Sequence, residues 1–450
     1  MHCTGRCARR DGNKTIKSSL QTEFYRKTTL PNGLRLIKLH MPWVHSVAAG
    51  LYVKAGPRFE TAPKSGISHF VEHMLFKGTQ RFADSRAISD AVENIGGDIN
   101  GSTMPEYSEF SMVVHPRHFD EGLRIFGDIL LHSAFDAAEI ENEKQIIAEE
   151  ISQYLDLAGD SVNLDELAYN LMWPTRSTGY STLGNDRTIH AFSRDEIVEH
   201  FRRYYVPSNQ VLCIAGSFDP ARVDSMVEEI FGSAGGKVDI PEPEYNSEIS
   251  FPRMTFKKMP TRMAHMKLCH KACSYRAPDL LAVLVVCDVL GGGTASKLFS
   301  KLREEQGLVY DVWASAALYC DVGSIDITTS TNRRKLVPTL ESILEQIRVL
   351  KQTGISEHEL VRVKDRVACQ MEFLLDSPSD LIEWFGAREL LAAPEKLETP
   401  ADEVEHLRAV TTDDVNRVIR QYFVPERRAL VLVGASSWIQ RRNIGKLLEV

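Results

Sequence analysis

The sequence predicts an α+β protein of two homologous domains, each a mostly antiparallel β-sheet with α-helices packed on one face. First, the chain repeats itself. Ser193–Gly216 (SRDEIVEHFRRYYVPSNQVLCIAG) aligns with Thr411–Gly434 (TTDDVNRVIRQYFVPERRALVLVG) at a constant offset of 218 (411 minus 193). Asp195/Asp413, Arg202/Arg420, Tyr204/Tyr422, Val206/Val424, Pro207/Pro425, Leu212/Leu430 and Gly216/Gly434 are identical. Second, each copy reads as a capped helix, a Tyr-aromatic-Val-Pro turn and a buried strand, so one supersecondary unit occurs twice. Third, 450 residues with 43% hydrophobic content supply two cores, and no run of 18 apolar residues exists to span a membrane. The expected division is a disordered basic tail over 1–20, an N-terminal domain over 21–238, a linker over 239–248 that contains the Pro- and Glu-rich DIPEPEYN (239–246), and a C-terminal domain over 249–450.

Along the first domain, Val44–Lys54 (VHSVAAGLYVK) is small and β-branched, a strand ending at the turn formers Ala55-Gly56-Pro57. A helical run follows Gly66 through Phe76, with Ile67, Phe70, Val71, Met74 and Leu75 as its apolar stripe and Gly78 as its stop. Asp136–Leu155 (DAAEIENEKQIIAEEISQYL) is a second helix, with Ile140, Ile147, Ile151 and Tyr154 on its buried face.

The first helix carries His69-Phe70-Val71-Glu72-His73, an H-x-x-E-H order that inverts the commoner H-E-x-x-H. Residues i and i+4 lie on one helix face, so both imidazoles can reach one metal ion. Glu72 borders that face and can take a proton from an activated water without itself being a ligand. A peptidase zinc usually has three protein ligands and one open position. The phase of the second helix selects the third. Glu143 and Glu150, two turns apart, flank its apolar face, whereas Glu149 shares a side with Asn142, Gln145 and Gln153. The expectation is therefore Zn²⁺, one per chain, held by His69, His73 and Glu150, with Glu72 as general base and Glu143 as an auxiliary carboxylate. Glu141 and Glu149 are expected to be solvated. A His/His/Glu set also accepts manganese or cobalt.

With HFVEHMLFKGT at 69–79 and Glu150 in EKQIIAEEI, the chain resembles the pitrilysin family of inverted-motif zinc peptidases, which includes the processing peptidases, and is closest in form to its short two-domain bacterial-type members. The resemblance runs from about Thr29 onward, with LPNGLRL at 30–36 similar to the family's first strand. It implies that GGDINGSTMPEYSEFSMVV at 97–115 is a hairpin to whose edge the substrate adds as a strand, placing Asn100, Gly101, Ser102 and Thr103 beside the peptide. The family usually has Ala where Gly101 stands, a change that loosens the strand. It also implies that Arg303 and Tyr310, within GGGTASKLFSKLREEQGLVYDVWA, contact the substrate near the scissile bond. The offset of 218 carries His73 into Leu290-Gly291-Gly292-Gly293, so the second copy is expected to bind no zinc. The long glycine-rich loop of the non-catalytic processing-peptidase subunit is absent, which opposes that role. Family members close four domains into a clamshell chamber and this chain supplies two. The implied partners are thus peptide substrates and a second chain, in a homodimer or a heterodimer with a related chain, Arg303 and Tyr310 of one subunit serving the zinc of the other.

Composition sets the remaining expectations. A net charge of −8, with no basic stripe interleaved with aromatics, gives no footprint for nucleic acid. Residues 1–20 hold Arg6, Arg9, Arg10, Lys14 and Lys17 without an apolar core, so no ordinary secretory signal is expected. Cys213, Cys269, Cys273, Cys287 and Cys369 lie in apolar contexts and read as buried free thiols, His270 as a structural histidine, and Cys3 and Cys7 as tail residues open to metal or oxidation. The compartment expected is a reducing cytoplasm, with the mitochondrial matrix as alternative. The expected function is that of a zinc metalloendopeptidase acting on unfolded peptides or presequence-like segments; the alternatives are a non-catalytic subunit or a zinc-dependent peptide-binding partner of a related peptidase.

Overall fold

The computed structural model describes residues 25–156, 158–174, 181–240, 253–392 and 398–449. The expected tail and most of the expected linker lie outside them. The strands are β1 (Tyr25–Thr29), β2 (Arg35–His40), β3 (Val47–Val53), β4 (Asp98–Thr103), β5 (Ser108–Val114), β6 (Gln210–Gly216), β7 (Arg253–Lys257), β8 (Met263–Ala272), β9 (Val309–Leu318), β10 (Gly323–Asn332) and β11 (Arg428–Gly434). They form two sheets, ordered β1-β2-β6-β3-β5-β4 and β7-β11-β8-β10-β9. Among the described residues only β2/β6 and β7/β11 pair in parallel, so both sheets are mostly antiparallel.

The repeat is reproduced in register. Helices Arg194–Tyr204 and Thr412–Tyr422, the short turns Pro207–Asn209 and Pro425–Arg427, and strands β6 and β11 all coincide at the offset of 218. Both helices begin with a capping box, from Ser193 with Glu196 and from Thr411 with Asp414, which satisfies end N–H groups at the same place in each copy.

Strands β3, β6 and β11 are buried at every residue, a pattern that requires cover on both sheet faces. Val47, Ala49, Leu51 and Val53 of β3 face the core of their own half, with Phe70, Val71 and Met74. Ala48 and Tyr52 face the other way, onto Leu381, Ile382 and Phe385 of helix Pro378–Ala392, which comes from the second half. The exchange is reciprocal. Helix Leu164–Met172 of the first half lays Ala168 and Met172 on Cys269, Ala429, Val431 and Val433 of the second sheet. Adding 218 to 164–172 gives 382–390, so the two exchanged helices are counterparts in the repeat. Ion pairs tie down both: Glu389 meets Lys27 at 2.7 Å and Arg35 at 3.4 Å, and Lys267 meets Asp165 and Asp326. Helices thus cover both faces of each sheet rather than one.

Some local expectations are corrected. LPNGLRL is not the first strand: Gly33 at φ +95° turns the chain between β1 and β2, and the strand proper begins at Arg35. Tyr154 is exposed because its helix ends at Ser152. Cys369 is exposed and Cys273 half-buried, whereas Cys213, Cys269 and Cys287 are buried free thiols; Cys369 lies on the solvent side of helix Glu357–Leu374.

Candidate metal centre

The histidine helix, Ile67–Leu75, starts at Gly66, whose φ of +93° and close approach to Gly184 leave no room for a side chain. Glu60 accepts hydrogen bonds at 2.8 Å from the backbone N–H groups of both Gly66 and Ser68, meeting donors that the first helical turn leaves unpaired. Phe70, Val71, Met74 and Leu75 are buried in the first core and fix the helix's rotation. His69 and His73 are thereby set toward helix Ala137–Ser152.

The two Nε2 atoms lie 3.1 Å apart, and Glu150 Oε2 lies 3.8 Å from each. A tetrahedral site with bonds of about 2.0–2.2 Å has ligand–ligand edges of roughly 3.4 Å, so this triangle fits a zinc-sized divalent ion with one vertex left open. Burial, with the charge of His73, lowers the His69 imidazole to about 3, so the ring is neutral and keeps a nitrogen lone pair. Burial also opposes charge on His73, but its hydrogen bond to Glu143 and the charges of Glu72, Glu143 and Glu150 outweigh it and move this imidazole upward.

Glu143 is buried in helix Ala137–Ser152, with Oε1 2.7 Å from His73 Nδ1 and Oε2 2.6 Å from Lys77 Nζ. Burial raises this carboxyl, yet the bonds to His73 and Lys77 prevail and hold it below the usual carboxylate range. An ionised Glu143 accepts the Nδ1 proton and leaves the Nε2 lone pair of His73 for the shared point. Glu149 and Glu141 face solvent on the same helix.

Glu72 also lies close, its carboxylate within 4.8 Å of the imidazole nitrogens. Its Oε2 accepts the Thr103 hydroxyl at 3.1 Å. Glu150 Oε2 is equidistant from both Nε2 atoms, whereas Glu72 is engaged by Thr103. Burial, together with Glu150, raises the Glu72 carboxyl against the opposing effects of His73 and Thr103. A buried carboxyl so raised, beside the imidazole pair, is equipped to take up a proton.

Asn100, Gly101, Ser102 and Thr103 lie on β4, the edge strand of the first sheet. Gly101 packs directly on Glu72: a Cβ there would stand 3.1 Å from Glu72 Cγ and 2.9 Å from Phe76 Cε2. Beyond Thr103 opens a cavity of about 760 Å³ between the halves, lined by Ile151, Tyr154, Glu166, Tyr169 and Tyr319 among others.

Arg303 and Tyr310 are not joined to this cluster by any contact among the described residues. Arg303 lies in a π-helical turn, Phe299–Glu305, with its guanidinium 4.8 Å from the ring centres of both Phe299 and Tyr310. Tyr310 is 76% exposed on β9, the edge strand of the second sheet. At the repeat counterpart of His73, Gly291 is pressed against the β9 backbone, and a Cβ would overlap Ala314. The second half therefore has no room for an imidazole there.

Two contacts escaped the sequence reading: the Lys77 pair with Glu143, and the Thr103 bond to Glu72. Lys77 is four residues beyond His73, so helical spacing could have found it. No spacing rule reaches Thr103.

Residues 35–184 match the family described as Insulinase (Peptidase family M16), and residues 191–367 match Peptidase M16 inactive domain. An uncharacterized zinc protease of Bacillus subtilis, YmxG, is 33% identical over 414 residues, covering 91% of this chain and 98% of that protein. One from Streptomyces coelicolor is 27% identical, covering 91% and 89%. Among solved structures, a protease from Helicobacter pylori superposes with a TM-score of 0.84 at 20% identity, covering 91% of this chain and 99% of that one. A peptidase M16 inactive domain from Pseudomonas fluorescens superposes with a TM-score of 0.83 at 16% identity, covering 92% and 98%.

Proposed function

The chain belongs to the M16 family of peptidases, and from that premise we propose that it is a zinc metalloendopeptidase hydrolysing peptide bonds of unfolded peptides or presequence-like segments. The observation that carries this reading is the convergence of His69 Nε2, His73 Nε2 and Glu150 Oε2 on one point beside the raised carboxyl of Glu72. These three side chains would hold one zinc per chain. When bound, zinc would supply a water of lowered pKa and a Lewis acid for the scissile carbonyl.

Glu72 takes the proton of the attacking water and later delivers it to the leaving amine, and Thr103 orients its carboxylate between the two transfers. Glu143 keeps His73 in the Nδ1–H tautomer throughout. The peptide adds to the free edge of β4 along Asn100–Thr103, where main-chain hydrogen bonds supply affinity without fixing a sequence. Arg303 and the exposed Tyr310 act on the site of a second chain, in a homodimer or in a heterodimer with a related chain, donating to substrate carbonyls and to the developing oxyanion. Among the described residues no helix is long and apolar enough to cross a membrane.

The test is cleavage of an unstructured peptide library by purified protein, with metal analysis of the same sample. Wild type should turn over and stop with chelator, while Glu72→Gln keeps its zinc and loses about 10²–10⁴ in kcat. Peptide binding without turnover in zinc-loaded wild type would replace this reading with that of a binding partner.

A further inference from the structure

We propose that Arg58 is a positioning residue through which the second half of the chain fixes the peptide-binding hairpin; this rests on the reading of β4 as the substrate edge. The β4–β5 turn closes with Met104 N donating to Tyr107 O at 2.7 Å, and the β9–β10 turn of the second half closes likewise, Tyr319 N to Val322 O at 2.9 Å. These two turns meet at Arg58. Its Nη1 donates to Glu106 Oε1 at 3.1 Å in the first turn, and its Nη2 to Asp321 Oδ1 at 2.6 Å in the second. Its guanidinium lies 4.9 Å from the Tyr319 ring centre, and its backbone N–H donates to Pro105 O at 3.0 Å. Cys320 N completes the junction by donating to Glu106 Oε1 at 3.2 Å.

Arg58 and Glu106 are buried, so the guanidinium lies in a medium where a fork to two carboxylates is strong and directional. The Met104–Tyr107 turn follows Thr103, whose hydroxyl holds Glu72. Contacts therefore run unbroken from Asp321 through Arg58 and Glu106 to the turn, and from there to Thr103 and the general base. An ion pair serving cohesion alone could join the halves anywhere, as Lys27 and Glu389 do at the far edge of the sheet. Among the described ion pairs that join the halves, the Arg58 fork ends on the hairpin.

The test compares zinc-loaded Arg58→Lys and Asp321→Asn with Lys27→Met, which breaks the remote pair. A lysine replaces the two Nη donors of the rigid planar fork by a single ammonium, so the spacing of Glu106 and Asp321 is no longer set by the side chain that holds them. Both hairpin variants should keep zinc and fold, lose about tenfold in kcat/KM with most of the change in KM, and exchange the amides of Thr103–Tyr107 faster. Lys27→Met should leave KM and that exchange unchanged. Equal KM changes in all three variants, or unaltered exchange at Thr103–Tyr107 in both hairpin variants, would overturn the proposal. Should wild type show no turnover, the peptidase reading fails by itself, and the exchange measurement still decides the role of Arg58.

Discussion

Glu143 joins His73 Nδ1, 2.7 Å from its Oε1, to Lys77 Nζ, 2.6 Å from its Oε2, so one buried carboxylate orients the imidazole and is itself neutralised by a cation one helical turn away. Replacing it by Gln keeps an acceptor for Nδ1 but removes the charge that makes Nε2 more basic and leaves Lys77 without its counter-charge. Glu143→Gln should therefore weaken zinc binding by about 10–100-fold, read by competition with a chromophoric chelator. Affinity equal to wild type would remove Glu143 from the metal's support.

Glu60, which receives the first N–H groups of the histidine helix, sets a pH dependence. Burial pushes its carboxyl up from 4.5 to about 7, against the bonds from Ser68 and Gly66 that favour the charged form. A carboxyl raised on folding stabilises the fold fully below its unfolded value and loses that contribution as pH rises through the folded one. Glu60 should therefore cost the fold about 3 kcal/mol between pH 4.5 and pH 7. Urea unfolding of metal-free wild type and Glu60→Gln across that window should show wild type losing ground to the variant as pH rises. A difference flat with pH would refute the assignment.

Subunit sharing has a direct signature. If Arg303 and Tyr310 of one chain serve the zinc of the next, then Glu72→Gln and Arg303→Ala chains, each inactive alone, complement in a mixed dimer. Random assortment of equal amounts gives about a quarter of wild-type activity, since one site in four pairs an intact Glu72 with an intact Arg303. Mixtures no more active than the better parent would confine Arg303 to its own chain.

The repeated helix, turn and strand were legible because their caps, their Val-Pro turns and their continuous apolar runs are local signals, and the fold keeps them in register. So was the phase of helix Ala137–Ser152, in which Glu149 faces solvent and Glu150 faces the imidazoles. The exchange of helices Leu164–Met172 and Pro378–Ala392 was not. An apolar stripe says that a helix buries a face, but not against which sheet. The signal lay in the strands instead: VAAGLYV, QVLCIAG and RALVLVG alternate too little to have an exposed face. Thr103 and Arg58 act through contacts formed only once the hairpin is folded, so no periodicity announces them.

Gly386, in the helix that the second half lends to the first sheet, tests that exchange. Its counterpart at the offset of 218 is Ala168, fully buried on the second sheet, so a methyl group is tolerated at the equivalent place. On the first sheet Tyr52 takes that space: a Cβ at Gly386 would overlap its ring, lying 2.6 Å from Cζ. Tyr52 is itself only 2% exposed, packed between Gly50 and helix Pro378–Ala392. Helix propensity favours Gly386→Ala by about 0.8–1.0 kcal/mol. Overpacking costs about 1–3 kcal/mol and should win, because the helix must lift and strain the Glu389 pairs with Lys27 and Arg35. Denaturant unfolding should show Gly386→Ala less stable than wild type, and Gly386→Ala with Tyr52→Leu less damaged than the sum of the single changes. Strict additivity of the two would mean that these residues do not share one packed interface between the halves.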